Sequence, residues 1–428
     1  MNRRLLVILL FFNVLTGLTQ EKQFVNLSLK QIESLFLSNN LELIAAKYNI
    51  GIADAAVSQA KLWNNPSLSI SNMNLWSTKE QRDELRDIPT SSFARNTEFS
   101  VELSQLIQTA NKRGKLVRRE KVSKEIAIRE FEEILRGLKT GLRRAVFEIQ
   151  CSQSYIEVLN KQQKSLNQLV EAYRRQVLQG NIAKSELLRL QSSLLELENE
   201  INELQSDLNE QLKTLKILLN IPFTANIYVA RNQEAVKNPD MLILSDLFAK
   251  AEEQRPDMRI YNLRTELHRK SLDYEKSLRV PDLTISAAYD RYGGVWKDFV
   301  GIGISVDLPF FNRNQGNIKA AKFNVEQSQY LAQHRQNTIC NEVAAACNNY
   351  SYAFNFYRKV NEDSLVLPEL DSMLDAYTKS LLNRNISMLE YIDFMDTYKT
   401  NKYIALNARK KVDIQFEEIQ YTVGIDLE

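Results

Sequence analysis

The chain has 428 residues, of which only 12 are glycine and 8 are proline, and its formal net charge is +2. So few glycines and prolines favour long helices over a loop-rich fold, and the nearly neutral charge gives no indication of a nucleic-acid partner. Beyond the N-terminal segment no run of about eighteen apolar residues occurs. This excludes a helical membrane span but leaves open a membrane β-barrel, whose signal per strand is weaker.

The first nineteen residues have the pattern of a secretory signal peptide. Arg3 and Arg4 form a basic start, an apolar run covers residues 5–15, and Gly17 and Thr19 are the small residues that a cleavage site needs. No cysteine follows the apolar run. We therefore expect residues 1–19 to be removed from an exported chain whose new N-terminus is not acylated.

Residue types that catalyse reactions or bind metals are few and scattered. The only histidines, His268 and His334, are far apart in the sequence, which argues against a histidine metal site or a Ser-His-Asp arrangement. Cys151, Cys340 and Cys347 cannot all pair within one chain, and we expect three buried free thiols. The sequence predicts no catalytic residue, no cofactor and no metal site.

The chain contains an internal repeat. Residues 41–71 match residues 256–286 at an offset of 215, and residues 178–190 match residues 382–394 at an offset of 204. The change of offset indicates a longer loop in the first copy, between residues 72 and 98. The predicted organisation is a first repeat over 20–221, a linker in an equatorial region over 222–243 and a second repeat over 244–428.

In each repeat the apolar period changes from helical to strand-like at a proline. Residues 28–63 and 244–279 have helical spacing and end near Pro66 and Pro281, and a proline disfavours helix in the residue before it. β-Hairpins are predicted to follow over 66–108 and 281–309. The clearest alternation is in the last strand, with apolar residues at Val300, Ile302, Ile304, Val306 and Leu308.

Each predicted strand has about nine to eleven residues, enough to cross a bilayer at a tilt. Aromatic residues gather near the strand ends, as they do at the two interfaces of a membrane barrel. Two ordinary amphipathic hairpins packed on a soluble core are the alternative interpretation. The signal peptide and the repeat favour the membrane.

Long helices are predicted over 114–179 and 316–382, each about 100 Å long. Tip turns follow at Gly180 and Asn181 in the first repeat and at Arg384 and Asn385 in the second. The helix after the first turn has an unbroken coiled-coil seam, which contains Leu187, Leu190, Leu194, Leu197, Ile201, Leu204, Leu208, Gln211, Leu215 and Leu218. Its counterpart is less apolar, so we expect the two hairpins to have different surroundings. The helices before and after each long helix should stack end to end beside it.

Four strands cannot close a barrel, and open sheet edges in hydrocarbon leave backbone groups unpaired. Three chains would supply twelve strands around an aqueous lumen. The predicted fold class is therefore mainly α with a membrane β part, in which a trimer forms a 12-stranded barrel continued by a long periplasmic α-helical barrel. Gly316 and Asn317, with Gly114 as their first-half counterpart, should mark the return from barrel to helix, because glycine permits unusual backbone angles.

The duplication, the helix–proline–strand junctions and the order of elements resemble the TolC family of outer-membrane efflux proteins over essentially the whole mature chain. Residues 306–317, VDLPFFNRNQGN, resemble the strand-to-helix motif of the cobalt–zinc–cadmium efflux branch. The resemblance implies a homotrimer in the lipid of a Gram-negative outer membrane, extending into the periplasm. It also implies two partners, a periplasmic adaptor protein and an inner-membrane efflux pump. Many members of the metal branch are acylated at an N-terminal cysteine, which this chain lacks.

The segment Tyr391 to Asp396 resembles the family's periplasmic tip motif, and Asp393 and Asp396 align with its two acidic positions. Spacing of i, i+3 places both carboxylates on one helix face. Three copies would form a ring of six negative charges that attracts cations, so the resemblance implies a periplasmic gate here. An exposed polar helix face is the alternative. Arg384 and Asn385 do not match the family's tip-locking residues.

Two other classes of protein have long helices. A periplasmic adaptor has a helical hairpin, but usually a single one between β-rich halves, and a secreted coiled-coil scaffold needs no alternating strands after prolines. The repeat and the strands favour a passive export duct. The resemblance implies heavy-metal cations or drugs as its cargo.

Overall fold

The computed structural model describes residues 24–73, 78–80, 98–231, 235–291, 296, 298–361 and 366–427. The predicted signal peptide lies outside these residues. In the first half the elements are β1 (Phe24–Leu27), α1 (Leu29–Asn39), α2 (Leu41–Ala60), β2 (Ser67–Ser71), β3 (Ser100–Ile107), α3 (Lys112–Leu178) and α4 (Lys184–Leu219). Then follow β4 (Asn226–Val229), α5 (Leu244–Gln254), α6 (Pro256–Leu278), β5 (Leu283–Asp290), β6 (Phe299–Val306), α7 (Gln315–Asn361), α8 (Val366–Leu382) and α9 (Met388–Val423).

The two halves repeat one order of elements, as the sequence predicts. Each has two consecutive helices, two strands, a long helical segment, a tip turn and a return helix. Pro66 lies just before β2 and Pro281 lies two residues before β5, so both prolines are at the predicted change from helix to strand. The segment predicted as one helix over 316–382 comprises α7 and α8, on either side of residues outside the described part.

The shorter helices stack end to end beside the 67-residue helix α3. Near the sheet, α2 contacts α3 through an ion pair of 2.9 Å between Lys124 and Asp54. Toward the tip, α4 instead of α2 lies beside α3, and Gln163 of α3 donates a hydrogen bond to Glu198 of α4 at 3.2 Å. The predicted seam of α4 faces α3 with its leucines, of which Leu190 and Leu215 are fully buried. The predicted stacking is thus confirmed.

The four long strands form one antiparallel sheet in the order β2-β3-β5-β6. Among them β3, β5 and β6 have eight residues each, slightly fewer than predicted, and β2 has five, about half the predicted length. Cross-strand register collects the apolar side chains on one face, where one row contains Leu68, Leu103, Ala287 and Ile302 and the next contains Ile70, Val101, Tyr289 and Val300. The opposite face is small or polar, and one of its rows contains Ser69, Glu102, Ala288 and Gly301.

Both predicted leading helices are interrupted, at Asn40 and at Arg255, which are equivalent by the repeat offset. Both residues have extended backbone angles and precede a new helix. The Asn40 side chain accepts from the backbone N–H of Leu43 and donates to the Leu218 carbonyl, each at 2.8 Å. The guanidinium of Arg255 donates to the Thr422 carbonyl at 2.9 Å. Each break therefore contacts the C-terminal end of its own return helix.

A buried charge cluster surrounds the second of these breaks. Arg255 has no exposed surface, and it pairs with Asp257 and with Glu342, both at 2.7 Å. Burial alone would raise the pKa of Asp257, but hydrogen bonds from Arg255 and Arg335 and the charges of Arg255 and Arg136 hold that pKa well below its usual range. Gly424 ends α9 with φ +88°, and a Cβ there would lie 2.9 Å from Arg255 Cγ. Glycine is thus needed at residue 424 for both conformation and space.

The predicted linker over 222–243 is partly structured. Its strand β4 pairs in parallel with β1, with Phe24 opposite Asn226. Leu27, Ile227 and Val229 are buried together with residues of α1, α3 and α4. The linker thus helps to form the core of the first half.

The chain returns to helix at Gly114 and Gly316, as expected, but the unusual backbone angles expected of these glycines lie at neighbouring residues, and the expectation for the cysteines is wrong in part. Gly114 and Gly316 lie inside the first turns of α3 and α7, and the left-handed residues at these junctions are Ala110, Asn111 and Asn314. Gly114 instead leaves room for the Asn111 side chain, because a Cβ at residue 114 would lie 2.2 Å from its Oδ1. Three buried thiols were expected, but only Cys151 is buried, whereas Cys347 is partly buried and Cys340 is exposed on α7.

Candidate functional site

The tip of the molecule is formed by the two turns that join α3 to α4 and α8 to α9. Gly180 and Arg384 occupy equivalent left-handed positions, with φ of 75° and 60°. In each turn the next residue's backbone N–H reaches back to a helix carbonyl, Asn181 to Gln176 at 3.0 Å and Asn385 to Ser380 at 2.9 Å. The Arg384 guanidinium donates to the Asn181 carbonyl at 2.9 Å and so joins the two turns. All four predicted tip residues therefore lie in these turns.

Helix α9 begins at a capping box, in which Ser387 and Glu390 each accept from the other's backbone N–H. The hydrogen bond that the Glu390 carboxylate accepts from the Ser387 backbone N–H, at 2.7 Å, lowers the pKa of this carboxyl. One face of α9 then packs into an aromatic core. Tyr391 and Tyr398 are fully buried, and the Phe394 ring stacks on Tyr377 with 4.1 Å between centroids. This packing fixes the rotation of α9 about its axis.

The opposite side of α9 carries the two predicted gate residues. Asp393 and Asp396 are both exposed, while their neighbours Phe394 and Met395 are buried. Neither carboxylate has a hydrogen-bond or ion-pair partner within the part of the chain that the structure describes. Asp396 borders a small cleft of about 100 Å³ between α3, α4 and α9. The structure thus presents both charges to solvent on one face of α9, near the tip.

Ion pairs beside these aspartates tie α9 to its neighbours. Lys399 pairs with Glu200 of α4 at 2.9 Å, and Lys402 pairs with Asp371 of α8 at 2.8 Å. Tyr398 also donates to Asp371 at 2.9 Å, and burial together with this hydrogen bond raises the pKa of the tyrosine. The helix that carries Asp393 and Asp396 is therefore anchored on both sides.

At the other end of the molecule, the apolar face of the sheet is open. Val300, Ile302 and Ile304 have exposed fractions of 71%, 83% and 72%. An apolar surface of this size in contact with water is unfavourable and indicates contact with a membrane or another protein. The small and polar residues of the opposite face suit an aqueous lumen.

Sequence reasoning missed the charge cluster at Arg255, although Pro256 was a local signal for a helix start. In the described part of the chain, no three or more His, Cys, Asp or Glu side chains are grouped to hold a metal ion. Nor does any described helix combine the length and the apolarity that a membrane crossing requires.

Known proteins resemble this chain both in sequence and in fold. The sequence matches the outer membrane efflux protein family over residues 33–220 and 247–355. It is 26% identical over 141 residues to the cobalt-zinc-cadmium resistance protein CzcC of Cupriavidus metallidurans, and this match spans 32% of each chain. The chain therefore matches about a third of the length of that curated relative.

Two solved structures share the fold over nearly their whole length. The CmeC outer membrane channel of Campylobacter jejuni has a TM-score of 0.74 at 15% identity, and the similarity covers 92% of this chain and 85% of CmeC. The outer membrane protein VceC of Vibrio cholerae has a TM-score of 0.71 at 14% identity and coverages of 94% and 97%. The family match covers more than half of the chain, and the predicted resemblance is confirmed: the chain belongs to the outer membrane efflux protein family.

Proposed function

We propose that three copies of this chain form a passive export channel through the outer membrane of a Gram-negative cell. The observation that carries the proposal is the sheet β2-β3-β5-β6, which has an exposed apolar face and two free edges. An unpaired edge in hydrocarbon costs several kcal/mol per backbone group. Pairing β6 of one protomer with β2 of the next removes every edge when three copies close into twelve strands.

Exposed apolar stripes on two helices support the same arrangement. α2 packs Val57 and Ala60 against its own protomer, yet Ile44, Tyr48 and Ile52 on its other side have exposed fractions of 42%, 72% and 68%. A helix that is apolar on two sides needs a second neighbour.

The matching stripe is on α7. Ala321 and Ser328 are buried, while Phe323 and Tyr330 on the opposite side have exposed fractions of 57% and 74%. Because α2 leads into β2 and α7 follows β6, pairing of these strands between protomers would bring α7 of one protomer beside α2 of the next.

Disulfide cross-linking tests this contact. Ile52 and Phe323 lie at comparable distances from the sheet along their helices, so Ile52→Cys with Phe323→Cys should link three protomers covalently after mild oxidation. The exposed Cys340 is first changed to Ser. As a control, Leu188→Cys replaces Ile52→Cys, because Leu188 is also exposed but lies near the tip. Absence of covalent trimers in the first pair, or their presence in the control, would contradict the arrangement.

Asp393 and Asp396 are the residues that we infer to form the periplasmic gate. Their exposure at the tip and their unpaired charges support this role, because three copies would place six carboxylates around one axis. Such a ring focuses a negative field and binds cations. Gly180, Asn181, Arg384 and Asn385 would form the rim of the tunnel around it.

The family relationship implies two protein partners, a periplasmic adaptor and an inner-membrane pump of the RND type. The likeness to CzcC, although local, favours divalent metal cations over drugs as cargo. Deleting the gene should then lower tolerance to cobalt, zinc and cadmium, and the wild-type gene should restore it. A strain that becomes sensitive to drugs alone would contradict the metal assignment without affecting the channel proposal.

A further inference from the structure

The first three turns of α3 carry an unusual concentration of positive charge. Residues 112–124 contain seven lysines and arginines and one glutamate, and the first turn of α3 has no acidic residue. The N-terminal end of a helix already has a partial positive charge, so cations there repel both the helix dipole and one another. An anion bound nearby would reduce this repulsion.

The chain itself supplies too few anions. Lys112 pairs with Asp282, Arg119 with Glu120 and Lys124 with Asp54. The other four basic residues have no carboxylate partner within the described part of the chain: Arg113, Lys115, Arg118 and Lys121. A net charge of about four is therefore left uncompensated at this end of the helix.

Arg113 shows where an anion would bind. Its guanidinium lies over the Trp63 ring, 3.7 Å from the centroid, and its Nη1 is buried without a hydrogen-bond acceptor. Both side chains line a cleft of about 630 Å³ between the end of α2 and the start of α3, together with Arg119 and Gln108. A buried N–H donor without an acceptor is unfavourable by about 1–3 kcal/mol in general, and a phosphate oxygen in the cleft would satisfy it.

The position of the cleft indicates the source of the phosphate. α3 begins five residues after β3, whose apolar face ends at Ile107. Trp63 has an exposed fraction of 63%, and tryptophan beside basic residues is typical of a membrane–water interface. We propose that this cleft binds the headgroup phosphate of an anionic phospholipid in the periplasmic leaflet, with Arg113 donating to the phosphate and Trp63 beside the glycerol. The proposal rests on the proposed function, in which the sheet lies in the outer membrane and the helices extend into the periplasm.

The second half lacks the equivalent site. The residues at the positions of Arg113 and Trp63 are Asn317 and Leu278, and residues 316–328 contain only two lysines and one glutamate. A trimer would therefore bind three anionic lipids at this level rather than six. The second half also supplies a matched control, because three basic residues near the same level can be neutralised there.

The test is native mass spectrometry of the purified trimer after delipidation, with phosphatidylglycerol or phosphatidylethanolamine added back. The wild type should retain up to three phosphatidylglycerol molecules and little phosphatidylethanolamine. The triple variant Arg113→Gln, Arg118→Gln and Lys121→Gln should bind phosphatidylglycerol about tenfold more weakly. The control variant Arg313→Gln, Lys319→Gln and Lys322→Gln should bind like the wild type.

Equal retention by the triple variant, or an equal loss in the control, would overturn the lipid site. Competition by soluble glycerophosphoglycerol at equal concentration would also overturn it, because the site would then recognise a free anion. The mass and the bilayer conductance of the same trimers are measured in parallel. If trimers of the triple variant conduct normally and bind as much lipid as the wild type, only the lipid site is refuted. If the wild type fails to assemble or to conduct, the channel itself is refuted.

Discussion

The two halves of the chain form equivalent helix junctions with different side chains. Each half breaks its leading helix at an equivalent residue and directs that side chain to the end of its return helix. In the first half a neutral amide, Asn40, makes the contact with Leu218. In the second half a buried guanidinium, Arg255, makes it with Thr422 and recruits Asp257 and Glu342.

This difference teaches that the repeat preserves a backbone arrangement rather than a residue type. The neutral amide of Asn40 carries no charge and makes one donor and one acceptor bond. A buried guanidinium has five N–H donors and a charge, so it stabilises the junction only with several anionic and carbonyl partners. The second junction should therefore be more sensitive to mutation, to pH and to the loss of any one partner.

The largest expected effect is at Arg255. Arg255→Ala should lower the free energy of unfolding by about 3–5 kcal/mol, because Asp257 and the Thr422 carbonyl lose a buried partner. Asn40→Ala should lower it by about 1–2 kcal/mol, through loss of a helix cap and of one buried hydrogen bond. Denaturant unfolding of both variants in detergent measures the difference. Equal losses in the two halves would contradict the comparison.

Acid should affect the second junction in particular. The pKa of Asp257 is depressed from an ordinary value of 3.8, so its contribution to stability is present above that value. The contribution is lost as the pH falls below 3.8 toward the depressed pKa. Asp257→Asn should be less stable at pH 7 and should lose less stability between pH 4 and pH 2. Unfolding curves across this range that parallel those of the wild type would show that Asp257 does not carry this dependence.

The tip turns provide a smaller contrast. Gly180→Ala should cost about 1 kcal/mol, because an alanine at a left-handed position is strained. Arg384→Gly should be nearly neutral, since relief of the same strain offsets the lost hydrogen bond to Asn181. Thermal unfolding of the two variants compares them. A strongly destabilised Arg384→Gly would mean that the link between the turns outweighs the strain.

The smallest effect on stability is expected at the gate. Replacing Asp393 and Asp396 with Asn should change the free energy of unfolding by no more than about 0.5 kcal/mol, because both side chains are exposed. In planar bilayers the double variant should nevertheless lose cation preference and block by multivalent cations added at the periplasmic side. In the first half, the residue equivalent to Asp393 is Arg189, and Arg189→Gln is the control variant. Unchanged selectivity in the double variant would assign the aspartates to an ordinary solvated face.

Much of the protomer could be predicted from the sequence because its signals are local. These signals are the period change at Pro66 and Pro281, the leucine seam of α4 and the alternation in β6. Each one repeats along its element, so it can be recognised from neighbouring residues alone. The repeat then supplied the order of elements twice. Such patterns predict the helices, the sheet and the position of the tip.

The structural features that were not predicted depend on residues that are distant in the sequence. Burial of Arg255 requires Glu342 and Thr422, which are remote in the sequence, and helical spacing continues across the break at Asn40. The pairing of β1 with β4 joins a four-residue strand at the start of the first half to a four-residue strand in the linker. The unusual backbone angle expected at Gly114 is found instead at Asn111, three residues earlier.

The mass of the mature protein in detergent, measured with its secondary structure, tests the central claim most directly. Closure of β6 onto β2 predicts a monodisperse assembly of three chains that retains its β content. A folded, monodisperse monomer with the sheet intact would contradict the account, because its two sheet edges would then be stable without a neighbouring protomer.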